Sequence, residues 1–262
     1  KYTQGLVILS DFNIHISGST FSDNRYAIWF ENTRNTAVEN TKIYNNYGGI
    51  YFMNSSNNKV TDCEVYANSL SGDYTSAGIC MVSSNSNTIE NTIIRNNGFG
   101  ISLDNSSYNR IVDVNIENCA YGIYINNSHD NSIVNDEVVT NTHGIYLKGA
   151  SNNSIIGSHF NQNNLAVELW YISTDNNITD CTLTGNTYSV SMYYSSTCNI
   201  YTSSIVSNIN GIYSNKGSSP TIYLSAIYDN SNYGICNPDS DILVNARYNY
   251  LGSEDGPTDN II

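Results

Sequence analysis

The sequence predicts an all-β fold, a single-stranded right-handed parallel β-helix in which about ten to eleven coils of 22 residues form a solenoid with three parallel sheets. Three observations lead to this prediction. A small residue followed by an aliphatic one recurs about every 22 residues, two further apolar columns keep the same phase, and asparagine recurs at the expected corners. A fixed period of about 20 to 50 residues is typical of repeat architectures.

Each repeat contains three short apolar segments, which predict three strands per coil. The first column consists of Leu6, Ile28, Ile50, Ile79, Ile101, Ile123, Ile145, Val167, Val190, Ile212 and Ile235. The second column runs from Ile16 to Ile222, and the third runs from Phe21 to Ile227. Because these segments are rich in β-branched and aromatic residues, we expect the column residues to point inward from stacked strands.

The corners between strands carry ladders of asparagine. The first ladder consists of Asn24, Asn46, Asn68, Asn97, Cys119, Asn141, Asn163, Asn186, Asn208 and Asn230. A second ladder begins at Asn58 and ends at Cys198. Stacked Asn side chains can hydrogen-bond one another along the axis, and Asn tolerates the left-handed backbone of a tight corner. The sequence therefore predicts two internal amide ladders.

The domain is expected to comprise the helix over residues 1–244 and a C-terminal cap over 245–262. The cap segment contains Asn249-Tyr250-Leu251-Gly252 and Gly256-Pro257, and with the repeat it resembles the right-handed β-helix proteins of the pectate-lyase-like superfamily. The ending is similar to that of secreted or cell-surface β-helix domains of methanogenic archaea, with Leu251 in place of their Trp. The resemblance implies an extracellular or cell-surface location.

The charge balance bears on partners and location. The net charge of −13 argues against nucleic acid, since phosphate binding needs a basic surface and Lys plus Arg total 10. No apolar run is long enough to predict a membrane span. The sequence begins Lys1-Tyr2-Thr3 without a secretory signal, so we expect that the leader of an exported protein has been removed. Five N-glycosylation sequons agree with export, although an Asn-rich and Ser-rich chain also generates them by chance.

The six cysteines occupy places that disfavour disulfides. Cys80 and Cys236 share a column but lie seven coils apart, and Cys119 and Cys198 belong to different ladders. A disulfide needs Cα atoms within about 7 Å, so we expect buried free thiols. We expect no cofactor and no metal site. Ca²⁺ at the acidic tail residues Glu254, Asp255 and Asp259 is the alternative to a solvated cap.

The outward face of the first sheet is the predicted ligand surface. Because side chains alternate along a strand, the second and fourth residues after the small residue should face outward. The aromatic members of this face are Trp29, Tyr51, Tyr124, Tyr146, Trp170, Tyr193 and Tyr213. Aromatic rings bind the apolar faces of sugars, which predicts polysaccharide contact. The alternative is that the rings stack on one another for stability alone.

The same face supplies the candidate catalytic residues Asp104, Lys148 and Glu168, with His143 just before the sheet. Glycoside hydrolysis needs two carboxylates, but Asp104 and Glu168 lie three coils apart, about 14 Å at the usual strand spacing. A lyase needs a base, which Lys148 or His143 could be. The Asp-rich calcium site and catalytic arginine of pectate lyases are absent from this face, as are polygalacturonase motifs such as Gly-His-Gly.

The sequence therefore favours a structural or adhesive module that contacts polysaccharide over a carbohydrate-active enzyme, a polysaccharide lyase or glycoside hydrolase. End-to-end association of the rods is expected if the sheet edges are uncapped. Similarity to copper-maturation β-helices is a third interpretation, which three methionines and scattered histidines disfavour. A seven-residue insertion, 69–75, is expected to overhang the first sheet, either near the ligand or as a neutral loop.

Overall fold

The computed structural model describes residues 3–68, 73, 75, 77–239 and 241–252. They form 32 strands and, within that part of the chain, no α-helix. Three consecutive strands make one coil, and each strand pairs in parallel with the strand three places further along the chain. The predicted solenoid of about eleven coils with three parallel sheets is confirmed.

The first sheet has eleven strands. They are β1 (Leu6–Leu9), β4 (Tyr26–Glu31), β7 (Gly48–Met53), β10 (Ile79–Val82), β13 (Phe99–Asp104), β16 (Tyr121–Asn126), β19 (His143–Lys148), β22 (Leu165–Trp170), β25 (Tyr188–Met192), β28 (Asn210–Ser214) and β31 (Tyr233–Cys236). Its strands are mostly longer than those of the other two sheets and position the predicted ligand face.

The second sheet also has eleven strands and the third has ten. The second consists of β2 (His15–Ser17), β5 (Ala37–Glu39), β8 (Lys59–Thr61), β11 (Thr88–Glu90), β14 (Arg110–Val112), β17 (Ser132–Val134), β20 (Ser154–Ile156), β23 (Asn176–Thr179), β26 (Thr197–Tyr201), β29 (Ser219–Tyr223) and β32 (Asn245–Arg247). The third consists of β3 (Thr20–Ser22), β6 (Lys42–Tyr44), β9 (Glu64–Tyr66), β12 (Ile93–Arg95), β15 (Asn115–Glu117), β18 (Glu137–Val139), β21 (His159–Asn161), β24 (Thr182–Thr184), β27 (Ser204–Val206) and β30 (Ala226–Tyr228).

The core is the space enclosed by the three sheets. The predicted columns lie inside it, and in a central coil Ile101, Ile111 and Ile116 are all buried. The columns stack in register, so Phe30 and Phe52 place their rings face to face with centroids 4.9 Å apart. This continuous apolar column is the main source of stability, because each coil buries its inward residues only against its neighbours.

Both asparagine ladders form as predicted. Asn141 Nδ2 donates to Asn163 Oδ1 at 3.2 Å, and the same nitrogen donates to the carbonyl of Ile116. In the second ladder Asn109 Nδ2 donates to Asn131 Oδ1 at 3.2 Å. Each amide therefore satisfies a neighbouring amide and a buried carbonyl, which is the requirement for a polar group inside a core.

A ladder that the sequence analysis missed lies at the corner between the second and third sheets. At most of its places a hydroxyl or thiol donates to the carbonyl two residues earlier, as Thr92 Oγ1 does to Glu90 at 2.9 Å and Ser203 Oγ does to Tyr201 at 2.8 Å. Asp136 occupies one place of this ladder and is completely buried. Its Oδ1 accepts the Val114 N–H at 2.7 Å, and burial raises its pKa to about 7.

All six cysteines lie in the described part of the chain and have free thiols, five of them buried. Cys119 takes its predicted place in the first ladder, where its N–H donates to Asn141 Oδ1 at 2.9 Å. Burial raises the pKa of this thiol to about 11. Four of the cysteines act as small core residues, namely Cys63, Cys119, Cys181 and Cys198. Burial raises the pKa of all six thiols, so they remain protonated at neutral pH.

At the C-terminal end β32 pairs with β29, with Ala246 opposite Ile222. The acidic tail residues Glu254, Asp255 and Asp259 lie outside the described residues, as does most of the insertion. The cap boundary and the Ca²⁺ alternative stay predictions. No helix in the described ranges has the length and apolar character to cross a membrane.

Candidate functional site

The first sheet places the predicted site residues in two outward columns. Register pairs Asp104 with Asn126, Asn126 with Lys148, and Lys148 with Trp170. The other column pairs Tyr124 with Tyr146 and Tyr146 with Glu168. The residues of each predicted outward column therefore pair with one another on adjacent strands of the first sheet.

The aromatic rings on this face are arranged largely as stacks along the helix axis. Trp29 and Tyr51 have centroids 4.3 Å apart and planes inclined by 22°. Rings this close must contact through their faces, because rings lying flat on the sheet would keep their centroids further apart. Tyr51, which the sequence predicts as an exposed ligand residue, is instead buried in a cluster with Tyr26, Cys80 and Phe99, because these neighbouring side chains cover it.

The rings after Glu168 depart from this stacking. Trp170 is inclined by 37° to Tyr193, and Tyr193 is inclined by 50° to Tyr213. All three side chains are partly exposed. Their tilt exposes a portion of ring face as well as the ring edge, which is the surface that sugar rings contact.

Glu168 is a buried polar group of the face that makes two side-chain hydrogen bonds. Its side chain is 6% exposed. One oxygen accepts a hydrogen bond from His143 Nδ1 at 2.7 Å, and the other accepts the indole N–H of Trp170. A carboxylate this buried needs both partners, because an unpaired buried charge is costly. The carboxylate also assigns the proton of His143 to Nδ1 and leaves Nε2 as the acceptor.

Tyrosines surround His143. Tyr121 stacks on the imidazole with centroids 4.5 Å apart, and Tyr146 lies edge-on at 5.6 Å. Burial, with the neighbouring Glu168 carboxylate, raises the pKa of Tyr146 well above its usual value. The phenol of Tyr146 therefore stays protonated at neutral pH, where it can donate a hydrogen bond but not accept a proton.

The structure does not bring the three candidate catalytic residues together. Asp104 is buried and accepts a hydrogen bond from Asn126 Nδ2 at 2.6 Å, two strands before Lys148. Lys148 lies opposite Trp170, and the hydrogen-bond partners of Glu168 are His143 and Trp170. The compact group is thus formed by β19 and β22, with His143 and Tyr146 on one strand and Glu168 on the next, while Lys148 lies at the end of β19 opposite Trp170.

A corner after the first sheet contains residues that the sequence analysis did not single out. Tyr171 and Tyr194 stack with centroids 5.0 Å apart and planes inclined by 9°. Lys216 Nζ lies 4.2 Å from the centroid of the Tyr194 ring and donates to its hydroxyl at 2.7 Å. A usable signal was present, because the coil that contains Tyr171 has 23 residues instead of 22, as both asparagine ladders show.

The sequence also matches a known family. The family described as right handed beta helix region covers residues 4–160 and 99–247. The chain belongs to the right-handed β-helix family. A search of curated proteins gives no match for this β-helix.

Solved structures with the same architecture include three informative ones. A mutant of the periplasmic alginate epimerase AlgG has a TM-score of 0.75 and 13% identity, covering 93% of this β-helix and 70% of that chain. The A-module of the Azotobacter vinelandii mannuronan C-5 epimerase AlgE4 has a TM-score of 0.56 and 13% identity, and the match covers 94% of this β-helix and 81% of that chain. PfbA, a surface adhesin of Streptococcus pneumoniae, has a TM-score of 0.55 and 13% identity, and the match covers 90% of this β-helix and 64% of that chain. At these identities the similarity establishes the fold alone.

Proposed function

We propose that this β-helix is an extracellular or cell-surface module that contacts polysaccharide through the outward face of its first sheet. The observation that carries the proposal is the tilted group Trp170, Tyr193 and Tyr213, which presents ring faces and hydroxyls on a rigid sheet. Periplasmic and surface proteins that share the fold, among them two alginate epimerases and an adhesin, support a carbohydrate partner and an exported location.

The chemistry of the face suits a sugar polymer. A sugar ring has an apolar face that packs on an aromatic ring and hydroxyls that need hydrogen-bond partners. Asn215 Nδ2 donates to the Tyr213 hydroxyl at 2.7 Å, so this phenol is held in place with its own proton free to donate. Coils repeat about every 4.8 Å along the axis, and the face therefore presents similar groups at regular steps to an extended chain.

The proposal is tested by affinity electrophoresis through gels that contain a panel of acidic and neutral polysaccharides. Tyr213→Ala and Tyr193→Ala should reduce retardation, because they remove ring contacts without touching Glu168. Tyr44→Ala is the matched control, since Tyr44 stacks on Tyr66 at 5.1 Å on the third sheet. Wild-type protein that migrates freely through every gel would remove the proposal.

A second candidate function, proton transfer on a carbohydrate, is favoured by the 2.7 Å contact of His143 with Glu168. In this mechanism His143 Nε2 takes the proton from the carbon next to a uronate carboxylate, and Lys148 neutralises the carboxylate. The carbanion then either regains a proton on the opposite face, which inverts the carbon, or expels the oxygen on the neighbouring carbon, which breaks the chain and leaves a double bond. Hydrolysis is disfavoured because Asp104 and Glu168 lie on separate coils.

The second candidate is tested by incubating polyuronates with the protein and measuring ultraviolet absorbance, product size and the proton NMR spectrum. Elimination gives an absorbing, shortened product, and epimerisation changes the spectrum at constant length. His143→Ala should abolish either signal, while His159→Ala, on the outside of the third sheet, should leave it unchanged. Unaltered polymer after prolonged incubation would leave the binding module as the sole function.

A further inference from the structure

Three stacked turns after the first sheet have an unusual backbone. Tyr171 and Ile172, Tyr194 and Ser195, and Lys216 and Gly217 each form a pair of consecutive residues with positive φ. Every other positive-φ residue in the described ranges stands alone. The three pairs follow β22, β25 and β28, so they lie directly above one another, and Ile172 N–H donates to the Tyr194 carbonyl at 2.9 Å.

This backbone is costly for the residues that adopt it. The left-handed conformation destabilises a residue with a Cβ by about 1 to 2 kcal/mol, and a β-branched residue there is an outlier. Ile172 nevertheless has a φ of 57° and is 67% exposed. Packing does not explain an exposed, strained isoleucine. Single residues with positive φ occur at corners all along the solenoid, including the β-branched Thr140 and Thr202, so the consecutive pair is what sets these three turns apart. Strained backbone is often found at functional sites.

The turns place two tyrosines between two lysines. Lys148 Nζ lies 5.9 Å from the Tyr171 ring centroid at one end of the tyrosine stack, and Lys216 Nζ lies 4.2 Å from Tyr194 at the other. Trp170 lies beside the stack, with its centroid 5.5 Å from Tyr171. We name these five residues, Lys148, Trp170, Tyr171, Tyr194 and Lys216, the lysine–tyrosine corner.

The two lysines differ from the others that the structure describes. Lys42 and Lys59 form ion pairs with Glu64 and Glu90 at 3.3 and 2.8 Å. Within the described ranges Lys148 and Lys216 have no carboxylate at ion-pair distance and contact tyrosine instead. In a protein with a net charge of −13, the corner therefore holds two lysine charges that form no ion pair within the described ranges.

We propose that the lysine–tyrosine corner binds the anionic groups of an acidic polysaccharide. The inference rests on the proposed function and names the ligand class and a site for it beyond the strands of the first sheet. Carboxylates or sulfates of the polymer pair with Lys148 and Lys216, while a sugar ring packs against the tilted Trp170 and the exposed Tyr171. Nucleic acid is a poor fit, because a long polyphosphate would run onto the acidic remainder of the surface.

The charges on the far side of Lys216 determine from which side of this lysine an anion can bind. An open pocket of about 350 Å³ lies there and is lined by Asp239 and Asp241 as well as Lys216. Asp239 Oδ2 is held by the Gly217 N–H at 2.7 Å. These carboxylates repel an anion, so the polymer is expected on the side of Lys216 that faces Tyr194 and Lys148.

The test measures affinity for a polyuronate and for a neutral glycan of equal length at low and moderate salt. Lys148→Gln and Lys216→Gln should each weaken polyuronate binding about two- to fivefold and leave neutral-glycan binding unchanged. Lys42→Gln removes the same charge from the third sheet and should have no effect. Wild-type affinity for the polyuronate should fall as salt rises.

The outcomes separate this inference from the proposed function. If Tyr213→Ala loses binding while both corner variants bind the polyuronate like wild type, the corner is not the anion site and the proposed function stands. A loss with Lys42→Gln equal to that of the corner variants would assign the effect to net charge and overturn the inference. If wild type binds neither polymer, the proposed function fails and the inference fails with it.

Discussion

Glu168 and His143 are joined by a 2.7 Å hydrogen bond between a carboxylate oxygen and Nδ1 across neighbouring strands of the first sheet. The imidazole is held on a second side by the Tyr121 ring, whose centroid is 4.5 Å away. Orientation of His143 is therefore a property of the folded sheet and needs no ligand. Such preorganisation serves either interpretation of the face, because it fixes both a hydrogen-bond acceptor and a base.

Replacing Glu168 should destabilise the protein measurably. Glu168→Ala leaves the indole N–H of Trp170 and Nδ1 of His143 without their partner, and a buried unpaired polar group costs about 1 to 3 kcal/mol. We expect a lower midpoint of urea denaturation. Glu137→Ala, at an exposed position of the third sheet, is the control and should leave the midpoint unchanged. Equal midpoints for Glu168→Ala and wild type would contradict the hydrogen bonding described for this carboxylate.

The first asparagine ladder should fail locally when one amide is removed. Asn141→Leu eliminates the acceptor of the Cys119 N–H and the donor to the Ile116 carbonyl, both of which are buried. We expect the free energy of unfolding to fall by at least about 2 kcal/mol. Asn115→Leu, on the exposed side of β15, tests whether leucine itself is tolerated. Unaltered thermal unfolding of Asn141→Leu would argue against an inward ladder.

Asp136 should make stability depend on pH. Its carboxyl keeps a proton in the folded state up to a pH of about 7, whereas the unfolded state loses it near 3.8. The unfolded state therefore binds fewer protons between these values, and stability falls as pH rises through that window. The loss attributable to this group is on the order of 3 to 5 kcal/mol by pH 8, where it levels off.

The measurement compares thermal unfolding of Asp136→Asn and wild type from pH 4 to 8. The variant should gain stability over wild type as pH rises and should match it near pH 4. Asp175→Asn makes the same chemical change at an exposed turn and should show no such trend. A constant difference across the range would mean that Asp136 is not the neutral acid of the ladder.

Relieving the strain at Ile172 should stabilise the fold. Ile172→Asn places a residue that tolerates positive φ in the same turn, and we expect a gain of about 1 kcal/mol in the free energy of unfolding. Ile156→Asn, in a strand of the second sheet, removes the same side chain from extended backbone and should give no gain. A loss of stability in Ile172→Asn comparable to that in Ile156→Asn would mean that the isoleucine contributes packing.

The fold was predictable because the repeat specifies it. One apolar residue per strand in a constant phase identifies the inward face, and the constant spacing of Asn97 and Asn141 on either side of Cys119 identifies a corner. The ladder that contains Asp136 was missed because its members, Ser, Thr and Cys, are different residue types that have only the hydrogen-bond donor in common. The outward columns were also predictable, since alternation along a strand needs only the position of the inward residue.

The candidate site was less predictable. His143 and Glu168 meet diagonally across two coils, and this contact depends on side-chain conformation in addition to column position. The lysine–tyrosine corner depends on the backbone of its turns, which a single extra residue changes. Aligning the repeats by their columns gives that extra residue no meaning. Similarity to archaeal surface domains and the role of the insertion stay predictions.

The single thiol in the first amide ladder has a mechanical consequence. Asn97 faces the sulfur of Cys119 where its neighbours face an amide oxygen, and sulfur is a weak acceptor. A rod fixed at one end and pulled by a polymer at the other carries tension along its axis, through every coil in series. Under that load the boundary between Asn97 and Cys119 is held by its paired strands, from Phe99 opposite Tyr121 to Asp104 opposite Asn126, without the amide-oxygen acceptor that an unbroken ladder would add.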